Sequence, residues 1–121
     1  VATVTPAFHM DMVRKIRKAK EIKGFKYIHV LEPCPTGWRS DPSKSIELSR
    51  LAVQTGIWPL YEIENGDFKI SYKPREFKPV AEYLKPQRRF RHLDEDSIQE
   101  IQQLHKDDWE RLLRKDGTNI W

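Results

Sequence analysis

Apolar residues follow two rhythms in the first third of the chain. Val1 to Val4 is a short apolar stretch closed by Thr5-Pro6, and it reads as the tail of a β-strand. From about Phe8, Met12, Val13, Ile16, Ala19 and Ile22 recur at steps of three and four, the spacing of one helical face. Asp11 falls in the first turn of that helix, Lys18, Lys20 and Lys23 near its end, and Gly24 where a C-terminal cap belongs. Tyr27 to Leu31 is then a nearly unbroken apolar run, as expected of a strand covered on both faces of a parallel sheet. Strand, helix and strand make a βαβ unit, whose right-handed crossover predicts parallel strands.

That second strand runs into Glu32-Pro33-Cys34-Pro35-Thr36-Gly37-Trp38. Pro33 fixes its own φ and pushes Glu32 towards extended geometry, and Pro35 does the same to Cys34. Gly37 permits a sharp turn or a close approach. A thiol is thus placed on a stiff loop at the carboxyl end of a strand, where open α/β sheets put their ligand-binding groups.

Downstream, Asp41-Pro42 opens a helix, with Asp41 as cap and Pro42 at the first helical position. Leu48, Leu51, Ala52 and Thr55 share its inner face, and Gly56 ends it. Two strand-like runs, Trp58 to Glu64 and Asp67 to Lys73, flank Asn65-Gly66, a strong hairpin signal. A two-residue turn sets Ile63 against Phe68, Tyr61 against Ile70, and Glu62 against Lys69 as a favourable pair. Lys73 to Pro79 is an extended connector, Val80 to Leu84 a short helix stopped by Pro86, and 87–92 a basic linker. Asp94 caps a final long helix with Ile98, Ile101, Leu104, Trp109 and Leu112 as its inner stripe, ending before Gly117. The fold class is α/β: residues 1–57 form part of an α/β domain, and 58–121 a hairpin, linker and helical extension that reads as an appendage wrapping something.

Composition narrows the function classes. No apolar run approaches the roughly 18 residues needed to span a bilayer. The charge of +4 is a small excess of 22 basic over 18 acidic residues, which suits a solvated surface better than a nucleic-acid footprint. A single cysteine allows no internal disulfide, so a reducing cytoplasm is the expected location. The chain opens at Val1, with no basic-then-apolar leader, and reads as a processed or excised piece.

Cys34 admits several readings. Unpaired cysteines are often buried and structural. A nucleophile needs a base, and His9, His29, His92 and His105 lack any spacing signature with Cys34. A zinc site within this chain is excluded by the absence of a second cysteine in a familiar ligand pattern. A further option, beside the structural one, is a single ligand of a multi-cysteine cluster completed from elsewhere.

Pro33-Cys34-Pro35-Thr36-Gly37-Trp38, with Tyr27-Ile28-His29-Val30-Leu31 before it, resembles the C-terminal portion of the beta subunit of pyruvate:ferredoxin oxidoreductase (pyruvate synthase), in the 2-oxoacid:ferredoxin oxidoreductase family. The likeness continues through Asp41-Pro42-Ser43-Lys44, Leu51 to Glu62, Tyr72-Lys73-Pro74, Pro79 to Leu84 and Arg89 to Leu93, covering almost the whole chain. It implies the C-terminal part of a thiamine-diphosphate-binding fold with a parallel sheet. It also implies a subunit that binds thiamine diphosphate with Mg2+ and a 4Fe–4S cluster, for which Cys34 is the fourth, distant ligand. The other three cysteines, and the Gly-Asp-Gly tract that holds the diphosphate through magnesium, are not in this sequence.

The implied reaction is coenzyme-A-dependent oxidative decarboxylation of a 2-oxo acid, pyruvate above all, with electrons passed through clusters to ferredoxin. The expected partners are the N-terminal part of the beta subunit and the alpha, gamma and delta subunits, with no nucleic acid and no membrane. The alternative is a small basic α/β module for RNA or an acidic protein, in which Arg88, Arg89 and Arg91 bind and Cys34 is merely structural.

Overall fold

The computed structural model describes residues 1–121. β1 (Ala2–Val4) is followed by a 3-10 turn and α1 (His9–Glu21), then β2 (Ile28–Val30), which pairs with β1 in parallel: Ala2 with Ile28, Thr3 with His29, Val4 with Val30. The βαβ unit predicted from the periodicities is present. α2 (Pro35–Trp38) is a single turn, and α3 (Ser45–Gln54) follows a 3-10 turn capped by Asp41, whose Oδ1 accepts from the Ser43 amide at 2.9 Å. β3 (Tyr61–Glu64) and β4 (Asp67–Ile70) form the hairpin. Its register is the predicted one, and Asn65 and Gly66 both take positive φ, as a type I′ turn requires. α4 (Val80–Leu84) and α5 (Glu95–Lys115) complete the chain, with Asp94 Oδ1 accepting from the Ser97 amide at 2.8 Å.

The sheet is mixed, in the order β2-β1-β3-β4, and only the β1–β2 pair is parallel. The hairpin joins β1 directly through Ala2 and Glu62, so residues on both sides of position 57 share one sheet. The main core gathers Leu48, Leu51 and Ala52 of α3, Val80, Tyr83 and Leu84 of α4, and Ile98 of α5. A second core sets Trp109 of α5 on Phe68 and Ile70 of β4. Residues 118–120 then run back along the hairpin: the Phe68 amide donates to Thr118 O at 2.9 Å and the Ile120 amide to Gly66 O at 2.8 Å.

Three expectations are corrected. β2 is not covered on both faces: it is the edge strand, with His29 exposed and Val30 47% exposed. The side of β1 away from β2 is taken by the hairpin, and no strand lies beyond β2.

The apolar stripe of α1 is its inner face only in part: Met12, Ala19 and Ile22 are half-buried. Val13 and Ile16 are exposed, while Lys15 is buried against the sheet. Its ammonium is fully partnered there, by Thr3 O at 2.9 Å, Ser71 Oγ at 2.7 Å and Asp11 Oδ2 at 2.6 Å, so its stem can fill apolar space. In α5, Leu104 is exposed because the helix bridges two separate cores and turns this position outward between them.

Glu62 lies opposite Lys69 as predicted, yet its ionic partners are on α1: Arg14 at 2.6 Å and Lys18 at 2.8 Å. Burial alone would raise the carboxyl pKa, but these two hydrogen-bonded cations outweigh it and hold the group at about 2 against an ordinary 4.5. A depressed carboxylate stabilises the fold above its unfolded value. That contribution is therefore lost as pH falls from about 4.5 towards about 2. Glu62→Gln is expected to flatten this limb of a urea-stability profile, and an unchanged acid slope would show that the pair is not coupled to folding.

Candidate functional site

β2 delivers the chain to a turn tied back to β1. The Leu31 amide donates to Val4 O at 3.0 Å, and Thr5 Oγ1 donates to Leu31 O at 2.8 Å. Cys34 follows with extended backbone (φ −112°, ψ 98°) and caps α2, whose first residue is Pro35. The Trp38 amide donates to Cys34 O at 2.8 Å, and the Gly37 amide donates to Cys34 Sγ at 3.4 Å. The turn closes with Arg39 in the left-handed region at φ 53° and the Ser40 amide on Pro35 O at 3.1 Å.

The thiol is exposed, so the buried structural reading of Cys34 is set aside. The two prolines withhold their own amides, but the one-turn helix brings the Gly37 N–H to the sulfur instead.

A segment about fifty residues downstream braces this turn. The Arg89 guanidinium lies 4.2 Å over the Trp38 ring and 4.5 Å over Phe90, and Tyr83 meets Trp38 edge-on. Arg89 Nε donates to Gln87 Oε1 at 2.9 Å, and the fully buried Gln87 donates to Tyr83 O at 2.6 Å. The Arg88 amide completes the brace by donating to Arg39 O at 3.2 Å. Sequence reasoning treated 87–92 as a basic linker and missed Gln87; a lone polar residue between Pro86 and arginines carries no periodic signal of burial.

No histidine serves Cys34 as a base. His29 stacks edge-on against Trp58 with centroids 4.7 Å apart, His9 and His92 are exposed, and His105 is half-buried on α5, where desolvation lowers its pKa. The only hydrogen bond to Sγ comes from the Gly37 amide. Nowhere do three His, Cys, Asp or Glu side chains gather as a metal-binding group. Cys34 thus presents its thiol outward, with no histidine or carboxylate gathered around it.

No helix is long and apolar enough to cross a membrane. No protein-family model matches the chain. Among curated proteins, it is 57% identical over 102 residues to pyruvate synthase subunit PorB of Methanocaldococcus jannaschii, an alignment covering 84% of this chain and 34% of that protein. It is 45% identical over 115 residues to ketoisovalerate oxidoreductase subunit VorB of Pyrococcus furiosus, covering 93% of this chain and 37% of that one. Against PorB of Thermotoga maritima it is 42% identical over 117 residues, covering 93% and 36%. The chain thus spans about a third of the length of these relatives. With such identities across most of its residues, it belongs to the beta-subunit family of the 2-oxoacid:ferredoxin oxidoreductases.

Proposed function

We propose that this chain is the C-terminal part of an oxidoreductase beta subunit and that it supplies the Cys34 thiolate as one ligand of a 4Fe–4S cluster. The observation that carries the reading is an exposed, rigidly held thiol at the carboxyl end of a strand, without a second ligand nearby. Such a cluster needs four thiolates and, when bound, stores and passes single electrons. The chain's own part is to fix the sulfur. Pro33, Pro35 and the Arg89–Trp38 stack limit its movement, and the Gly37 N–H draws charge from it, which favours the reduced form of an attached cluster.

The whole enzyme would act on a 2-oxo acid, pyruvate in the first place, in a coenzyme-A-dependent oxidative decarboxylation. Electrons would leave for ferredoxin, and alpha, gamma and delta subunits would complete the assembly in the cytoplasm. Thiamine diphosphate and Mg2+ would be held by the rest of the subunit, and no residue here is assigned as general acid or base. The RNA-binding alternative is not favoured, since Arg89 is engaged with Trp38, Phe90 and Gln87.

Anaerobic reconstitution with iron and sulfide tests the reading. The isolated chain is expected to take up no stable cluster, whereas the complete subunit holds one. A 4Fe–4S signature at one cluster per isolated monomer would sink the idea of a shared site.

A further inference from the structure

Every lysine and arginine of the chain is exposed except Lys15, which is buried, and Arg89, which is half-buried. Lys15 is neutralised where it lies, by Asp11 at 2.6 Å. Arg89 is not: none of the chain's ion pairs includes it. Its guanidinium lies instead over two rings, 4.2 Å from the Trp38 centroid and 4.5 Å from that of Phe90. Ring faces attract a cation but carry no net charge, so the positive charge stays uncancelled.

The cation is also fixed. Its Nε donates to Gln87 Oε1, and the fully buried Gln87 is anchored in turn on Tyr83 O. An apolar side chain could cover Trp38 without leaving a half-buried charge unpaired, which is costly. Packing alone therefore does not account for an arginine here. The segment that carries it is bonded to the turn that carries the thiol. Trp38, under the guanidinium, donates its amide to Cys34 O, and the Arg88 amide donates to Arg39 O. Glu32, two residues before Cys34, is exposed and does not pair with Arg89.

We infer that Arg89 is a fixed counter-charge for the anionic group bound at Cys34, and that it raises the reduction potential of a 4Fe–4S cluster there. A cluster with four thiolates is an anion in both oxidation states and gains further negative charge on reduction. A cation beside it stabilises the reduced form more than the oxidised one, and net charge is among the factors that set such potentials. The Gly37 amide acts on the sulfur by direct contact, whereas Arg89 acts through space. One unit charge across roughly 10 Å, at an effective dielectric of about 20, shifts an equilibrium of this kind on the order of tenfold.

The inference rests on Cys34 as a ligand, and variants of the complete subunit separate the two. Arg89→Met keeps a stem that can lie on Trp38 and removes the charge; Arg89→Lys keeps the charge. Redox titrations followed by electron paramagnetic resonance give the ratio of reduced to oxidised cluster at a fixed potential. In the Met variant that ratio is expected to fall about tenfold, a downward shift of about 59 mV. In the Lys variant it is expected to stay near that of the unaltered subunit. Iron content is expected to be unchanged in both, as is hydrogen exchange at the Trp38 and Ser40 amides, which are bonded within the turn.

A Met variant that titrates at the unaltered potential overturns the inference; if it also melts earlier, the partner of Arg89 is a carboxylate elsewhere in the enzyme. Equal falls in the Met and Lys variants overturn it too, since the stack and not the charge would then matter. So does a Met variant that loses its iron together with the protection of Trp38 and Ser40, which would make Arg89 a structural brace only. A Cys34→Ser subunit that keeps its full iron sinks the ligand reading itself, and this inference with it.

Discussion

Cys34→Ser is expected to strip iron from the complete subunit while leaving this chain folded. The sulfur touches nothing that supports the core: its one hydrogen bond is the long contact from Gly37, and the residue is exposed. A serine hydroxyl can take that N–H and cap α2 about as well, so the turn should persist. What it cannot supply is a thiolate at neutral pH, since soft sulfur ligands select iron–sulfur clusters. Loss of an outer-shell partner already weakens metal binding by roughly 10–100-fold, and loss of a ligand should exceed that. Iron per subunit and the visible absorbance would report it, alongside an unchanged circular dichroism spectrum. Full iron occupancy in the variant would show that Cys34 is no ligand.

The largest stability effect is expected at Trp109. Its indole, 7% exposed, covers Phe68 and Ile70, meets the Phe77 ring edge-on at 5.1 Å, and ties α5 to the hairpin. Truncation removes an aromatic side chain from a small core with few neighbours able to collapse into the space. Trp109→Ala should therefore cost about 3–5 kcal/mol, a large share of the roughly 5–15 kcal/mol that holds a domain of this kind together. Leu104, on the same helix but 54% exposed, is the control: Leu104→Ala should stay within about 0.5 kcal/mol. Urea titrations of both variants give the comparison, and equal losses would mean that the second core adds no more than an exposed position does.

Local signals were legible wherever a few neighbouring residues decide the geometry. Asn65-Gly66 determined the hairpin register, Asp41 and Asp94 marked their helix starts, and Pro79 and Pro86 bracketed the short α4. The inner face of α3 was also readable, because no charged residue competes for it.

What could not be read was set by long-range pairing. Lys15 is buried only because Thr3, Ser71 and Asp11 converge on its ammonium, and Ser71 lies 56 residues away. Val30 is exposed although it lies in a mostly apolar run, because β2 is the edge strand, a place set by the sheet order and not by the run itself. At the site, the stiffness of the Cys34 loop was apparent from its prolines. The brace from Gln87 and Arg89 was not, because nothing near Trp38 announces which distant cation will lie on its ring.

The two margins of the sheet are treated unequally. Beside β4, residues 118–120 lie down like a selvedge, with Asn119 bridging to Asp67 and Ile120 bonding to Gly66. The tail thereby occupies the amide groups through which another molecule could extend the sheet on that side. On that margin the fold gives no template for a fibre.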